Sequence, residues 1–119
     1  MQRLAHLFLA LCLVTLSGNA IAHAFLDQAT PGAGTKLDRA PGTVVLRFSA
    51  LLEPLFSSIH VEDADGQRLG PARAGIDPQD GHIMRLPLPP LPPGTYRVVW
   101  HATARDGHPT KGEYIFSIR

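Results

Sequence analysis

A small all-β fold, an antiparallel sandwich or Greek-key barrel, is what this sequence predicts, and three observations predict it. Five short runs alternate apolar and polar residues with a period of two. Glycine, proline and aspartate turns bound those runs, and the 119 residues include 11 glycines and 11 prolines. No stretch beyond residue 22 carries a helical 3.6-residue period of useful length. Period-2 runs broken by turn residues read as strands, and several such strands without helices between them pack as two sheets or close into a barrel.

The runs follow one another along the chain. In "TVVLRFS" (43–49), Val44, Leu46 and Phe48 share one face. "SSIHVED" (57–63) sets Ile59 and Val61 against His60 and Glu62, and the turn "ADG" (64–66) follows. After a second turn, "QDG", the run "HIMRLPL" (82–88) places Met84, Leu86 and Leu88 on one side. "LPPLPPG" (88–94) is a rigid loop, because proline cannot donate to a central ladder. "TYRVVWHAT" (95–103) sets Tyr96, Val98 and Trp100 against Arg97, Val99 and His101, and "EYIFSIR" (113–119) aligns Tyr114, Phe116 and Ile118. Tyr96 and Trp100 read as core aromatics. No internal repeat or second domain is visible.

The beginning of the chain has another character. Arg3 precedes an apolar run, Leu4–Leu16, and "SGNAIA" ends in Ala20-Ile21-Ala22. A positive start, an apolar centre and a small-x-small end describe a secretory signal peptide over residues 1–22. The run is too short to span a bilayer, which takes roughly 20 apolar residues, so no membrane insertion is expected after cleavage. Cuts after Ala20 or Ala24 also satisfy the rule; the cut after Ala22 keeps the gap behind the apolar run short. It leaves 97 residues, 23–119, as one domain.

Cleavage removes the only cysteine, Cys12, so the remaining chain has no thiolate or disulfide chemistry. Ten basic residues then face ten acidic ones. A chain of zero formal charge has no electrostatic pull on nucleic acid or anionic lipid. Any metal it binds must use nitrogen, oxygen or thioether ligands.

The cut after Ala22 makes His23 the first residue. It then offers an α-amine and an imidazole, which close a six-membered chelate ring through the amine and Nδ1. An α-amine titrates near 7.7–8.0, low enough for a metal to displace its proton near neutral pH. The ordinary alternative is that some residue must come first and chance made it histidine. A second element is "ARDGHPTKG" (104–112), where Asp106 and His108 lie two apart. In extended chain such side chains leave the same face. Pro109 biases His108 away from the helical region, and Gly107 permits a bend. Here the ordinary alternative is an Asp-Gly turn with a solvated histidine. Taken together, an amine, two imidazoles and a carboxylate suit tetragonal coordination, which selects Cu(II) over tetrahedral zinc.

At this point the sequence resembles the CopC family of copper-binding proteins over essentially all of residues 23–119. The resemblance rests on His23 followed by "ATPGAG" (29–34), on "VVLRFSALLEP" (44–54), and on "LPPGTYRVVWHATARDGHPTKGEYIFSI" (91–118). It implies an Ig-like β-sandwich or barrel of about seven strands, and one Cu(II) held by His23, Asp106 and His108. It also implies a periplasmic role in copper homeostasis or resistance, with storage or delivery to an inner-membrane partner of the CopD type. One departure stands out. Some members carry a methionine-rich Cu(I) stretch, whereas residues 61–81 contain no methionine and Met84 is alone after the signal. The expectation is therefore a Cu(II)-only protein.

The other histidines are weaker candidates. His60 alternates against Ile59 and Val61 on a solvated face, His82 follows a turn, and His101, opposite Trp100, allows an indirect role. Two other functions fit less well. A copper oxygenase gripping the metal through its N-terminal histidine needs open coordination and an aromatic platform, which one Trp and two Tyr hardly supply. A plain Ig-like interaction module would leave the histidines incidental.

Overall fold

The alternating runs become the ladder strands of a β-sandwich. The computed structural model describes residues 23–119; the expected signal peptide lies outside them. The strands are β1 (Leu26–Thr30), β2 (Lys36–Leu37), β3 (Thr43–Phe48), β4 (Ser58–Glu62), β5 (Gly75–Ile76), β6 (Ile83–Pro87), β7 (Gly94–Thr103) and β8 (Pro109–Ile118). A single 3-10 turn, Pro54–Phe56, interrupts them. Among the described residues no helix is long and apolar enough to cross a membrane.

One sheet runs β1-β3-β6-β5 and the other β2-β8-β7-β4. The first order is the ABED sheet of an immunoglobulin fold, and β4, β7 and β8 are its CFG strands. Of the two architectures expected, the sandwich is the one observed, since the sheets stay separate rather than closing. Among the described residues there are eight strands rather than about seven, and β2 pairs with β8 in parallel. The added strands, β1, β2 and β5, lacked a signal for a physical reason. β2 and β5 are two residues each, too short to show a period. β1 carries a register shift between Leu26 and Gln28, which breaks its alternation against β3.

Packing follows the pattern read from the runs. Val44, Leu46 and Phe48 of β3, Ile59 and Val61 of β4, Met84 and Leu86 of β6, and Tyr96, Val98 and Trp100 of β7 are all buried. Phe48 and Trp100 meet edge to face across the sheets, with ring centroids 5.2 Å apart. The Tyr96 ring stacks on Phe116 at 5.5 Å. Its hydroxyl donates to the Pro92 carbonyl in the loop just ahead of β7, the tyrosine corner of this architecture. The loop 88–94 is thus pinned to the core by Tyr96 and by buried Leu91.

Candidate metal centre

The β7–β8 hairpin is the longest ladder in the molecule, pairing Gly94 with Ile118 at one end and Thr103 with Pro109 at the other. Its tip carries residues 104–108. Gly107 donates to the Ala104 carbonyl at 3.1 Å, so the tip is a turn with Asp106 inside it. The extended geometry expected for Asp106-Gly107-His108 therefore begins only at His108. Both Asp106 and His108 are exposed.

The start of the described chain is fastened beside that tip. Ser49 donates its hydroxyl to the His23 carbonyl at 3.1 Å and accepts from the Phe25 amide at 2.9 Å. The Ser49 amide donates to the Phe25 carbonyl at 2.8 Å. On the other side, Thr110 Oγ1 lies 2.7 Å from the Ala24 carbonyl and 3.2 Å from that of Ala102. Ala24 is fully buried between these anchors. Thr110 stands two residues beyond His108, so the same hydroxyl ties the early segment to the hairpin that bears the second imidazole.

The result is an imidazole pair drawn from opposite ends of the chain. The rings of His23 and His108 have centroids 5.7 Å apart and planes tilted by 32°. An ion about 2 Å from one nitrogen of each ring places the centroids roughly 4.5 Å apart at a right angle and roughly 6.3 Å apart when opposite. The observed separation falls between those limits, so the pair has the spacing to share one ion with little movement. Asp106 shares the hairpin tip but does not join them. Among the described residues no three His, Cys, Asp or Glu side chains gather as a metal-holding group. The nitrogen of His23 is a backbone amide in the intact chain and would be an α-amine only if His23 were the first residue.

Of the other described histidines, His60 and His82 have side-chain partners. His60 sits between Glu62 and Arg68, with 3.0 Å contacts at Nε2 and Nδ1 respectively. His101 is exposed on β7, opposite Lys111 and Ser58. His82 Nδ1 meets Asp80 Oδ1 at 2.8 Å, and Arg47 donates to Asp80 Oδ2 at 2.8 Å. The acidic partners lie two residues away in the chain, Glu62 on β4 with His60 and Asp80 in the turn before His82, whereas the guanidinium groups come from further off, Arg68 from the crossing segment and Arg47 from β3.

The Asp80 carboxyl is pulled down to about 2, first by the His82 backbone amide, then by the His82 ring and the Arg47 guanidinium. An aspartate near 3.9 when unfolded and lower when folded adds stability above its unfolded value, and loses it as pH falls through the folded one. The Asp80→Asn variant is thus expected to lose less urea stability than the parent between pH 4 and 2. Parallel urea midpoints across that range check it; identical slopes would show that the network contributes nothing.

The comparisons with known proteins come from independent routes. The CopC domain family matches residues 26–119, from the first strand to the last residue. The copper transport protein CutJ of Bacillus subtilis is 35% identical over 113 residues, covering 94% of this chain but 21% of that protein. The chain therefore spans about a fifth of CutJ. The crystal structure of CopC from Methylosinus trichosporium OB3b superposes with a TM-score of 0.76 at 32% identity, covering 81% of this chain and 93% of that one. PcoC, a methionine-rich copper resistance protein from Escherichia coli, gives 0.73 at 31% identity, covering 82% and 100%. A family match across the whole sandwich, and solved structures that share both its fold and nearly a third of its residues, place this chain in the CopC family.

Proposed function

We propose that this chain, once cut after Ala22, is a non-catalytic periplasmic protein that binds one Cu(II). Its role is copper homeostasis or resistance, by storage, sequestration or delivery to an inner-membrane transporter of the CopD type. The ligands are the α-amine and imidazole of His23, the imidazole of His108 and the carboxylate of Asp106. The observation that carries this reading is the His23–His108 ring pair at 5.7 Å, on a segment whose backbone two hydroxyls anchor at His23 and Ala24. Asp106 lies in the same exposed hairpin turn, and its recruitment requires that tip to move toward the imidazole pair.

Family membership supports copper as the cargo, since its relatives are named as copper transport and copper resistance proteins. The oxidation state follows from the donors. Met84, the sole methionine of residues 23–119, is fully buried in the core and offers no thioether at the surface. In this respect the chain differs from methionine-rich PcoC. Nitrogen and carboxylate donors favour Cu(II). Tyr96 and Trp100 are also core residues, so they present no stacking platform to a polymeric substrate.

Intact mass of the secreted protein followed by Cu(II) titration under EPR tests the reading. The expected result is a chain beginning at His23 and a nitrogen-rich type-2 signal that saturates at one ion per chain. Copper at 1,000 times its Kd adds about 4 kcal/mol to stability. That amounts to a rise in Tm of roughly 16–30 °C for a domain of this size. A mature chain starting elsewhere, or a Tm unmoved by Cu(II), would sink the proposal.

A further inference from the structure

Between the edge of one sheet at β4 and the edge of the other at β5 lies a groove of about 450 Å³. Buried Ile59 and Leu86 form its inner wall, and Arg68 and Arg73 line it with His60. No aspartate or glutamate is among its lining residues.

The β4 edge inside this groove is open. Further along, the Val61 carbonyl accepts from the Leu69 amide at 2.8 Å, and the Asp63 amide donates to the Gln67 carbonyl at 2.9 Å. Residues 61 and 63 thus turn their backbone groups away from β7. In an antiparallel ladder that direction alternates, so Ile59 turns its amide and carbonyl the same way. No backbone group of the described residues outside the ladder meets them. The crossing segment therefore covers the far half of β4 and leaves the near half unpaired.

The charges at the mouth are defined as well. Arg68 can only donate and an ionised Glu62 can only accept, so His60 between them is held as the Nε2–H tautomer. Arg73 makes no hydrogen bond or ion pair among the described residues. The groove thus pairs an unsatisfied strand edge with Arg73, which has no acidic partner among the described residues, and with Arg68, which meets Glu62 across a bridge and through His60.

We propose that this groove is a docking site for an acidic, extended segment of a partner protein, which adds to the free edge of β4. Strand addition takes its affinity from main-chain hydrogen bonds and its specificity from alternate side chains. The rim from Ser57 to His60 is about 13 Å long at about 3.3 Å per residue, room for a segment of three or four residues. Charge complementarity selects the sequence: carboxylates on alternate positions reach Arg68 and Arg73, which bind them in bidentate fashion. This inference does not rest on the copper reading.

The test uses the ¹⁵N-labelled secreted protein and a capped peptide, acetyl-Glu-Val-Glu-Val-Glu-amide. Saturable shifts are expected at the amides of Ile59, His60, Arg68 and Arg73. The lysine counterpart, and an analogue methylated on its backbone nitrogens, should each bind at least about 10-fold more weakly. The Arg73→Glu variant should lose a similar factor for the acidic peptide at an unchanged Tm, since that side chain makes no hydrogen bond or ion pair among the described residues. Three results would overturn the proposal: shifts that avoid these amides, equal binding of the acidic and basic peptides, or full binding by the methylated analogue. The last would reveal simple anion attraction without strand pairing.

Discussion

Blocking the α-amine of His23 is expected to weaken Cu(II) binding by at least about 100-fold, more than the 10- to 100-fold typical of losing a group that merely orients a ligand. The amine and Nδ1 belong to one residue, so once either binds, the other meets the ion at a high effective concentration. One additional residue ahead of His23 converts the amine into an amide and removes the ring closure. His108→Ala should cost a comparable factor, because it takes away one of the two imidazoles held 5.7 Å apart. Asp106→Asn should cost less, since an exposed carboxylate contributes charge more than placement. His60→Ala and His82→Ala should leave affinity within about twofold, as their rings serve other networks. Competition titrations with a chelator of known affinity measure all five. An extended chain that binds as tightly as the natural one would remove the amine from the site. Because amine and imidazoles bind metal only when deprotonated, affinity should also fall on acidification.

Replacing Gly112 is expected to give the largest loss of stability among single surface-strand changes. Gly112 of β8 lies directly across from Trp100 of β7, and the indole rests over it. A Cβ added at Gly112 would sit 2.4 Å from Trp100 Cζ2 and 2.7 Å from Cε2, where a rigid ring must move. Phe48 packs against the same indole with centroids at 5.2 Å, so it cannot retreat without disturbing the inter-sheet core. Overpacking of this kind costs roughly 1–3 kcal/mol for a methyl group. Gly112→Ala should therefore lower Tm by at least about 4 °C, and Gly112→Val by more. A Trp100→Leu background should absorb most of the Gly112→Ala penalty, because the two positions are in contact. Thermal melts of the two single variants and the double variant decide the point, and an alanine variant with an unchanged Tm would refute the packing argument.

How much of the fold was legible depended on how long each pattern ran. The five alternating runs all became strands, with their apolar faces inward, because a period of two is imposed by the pleat itself. β1, β2 and β5 were silent, since two residues or a bulge cannot display a period. The hairpin tip was half legible: Asp106-Gly107 carried a turn signal, and the extended geometry argued for Asp106 failed because the turn closes from Ala104 to Gly107. Trp100 read as a core residue, but nothing local announced that Gly112 is the floor beneath its ring.

By itself the sequence determined the all-β class, the inward faces of the main strands, the supply of nitrogen and oxygen donors without a thiol, and the CopC resemblance. These are properties of composition and of short-range order. Only the tertiary structure decided that His23 and His108 are neighbours, that His60 and His82 are engaged elsewhere, and that β4 keeps an open edge beside Arg68 and Arg73. The reason is that such proximities are set by sheet order and by hydroxyl anchors at Ser49 and Thr110, which join residues 26 and 86 positions apart in the chain. No local period encodes a contact over that distance; it exists only once the two sheets have packed.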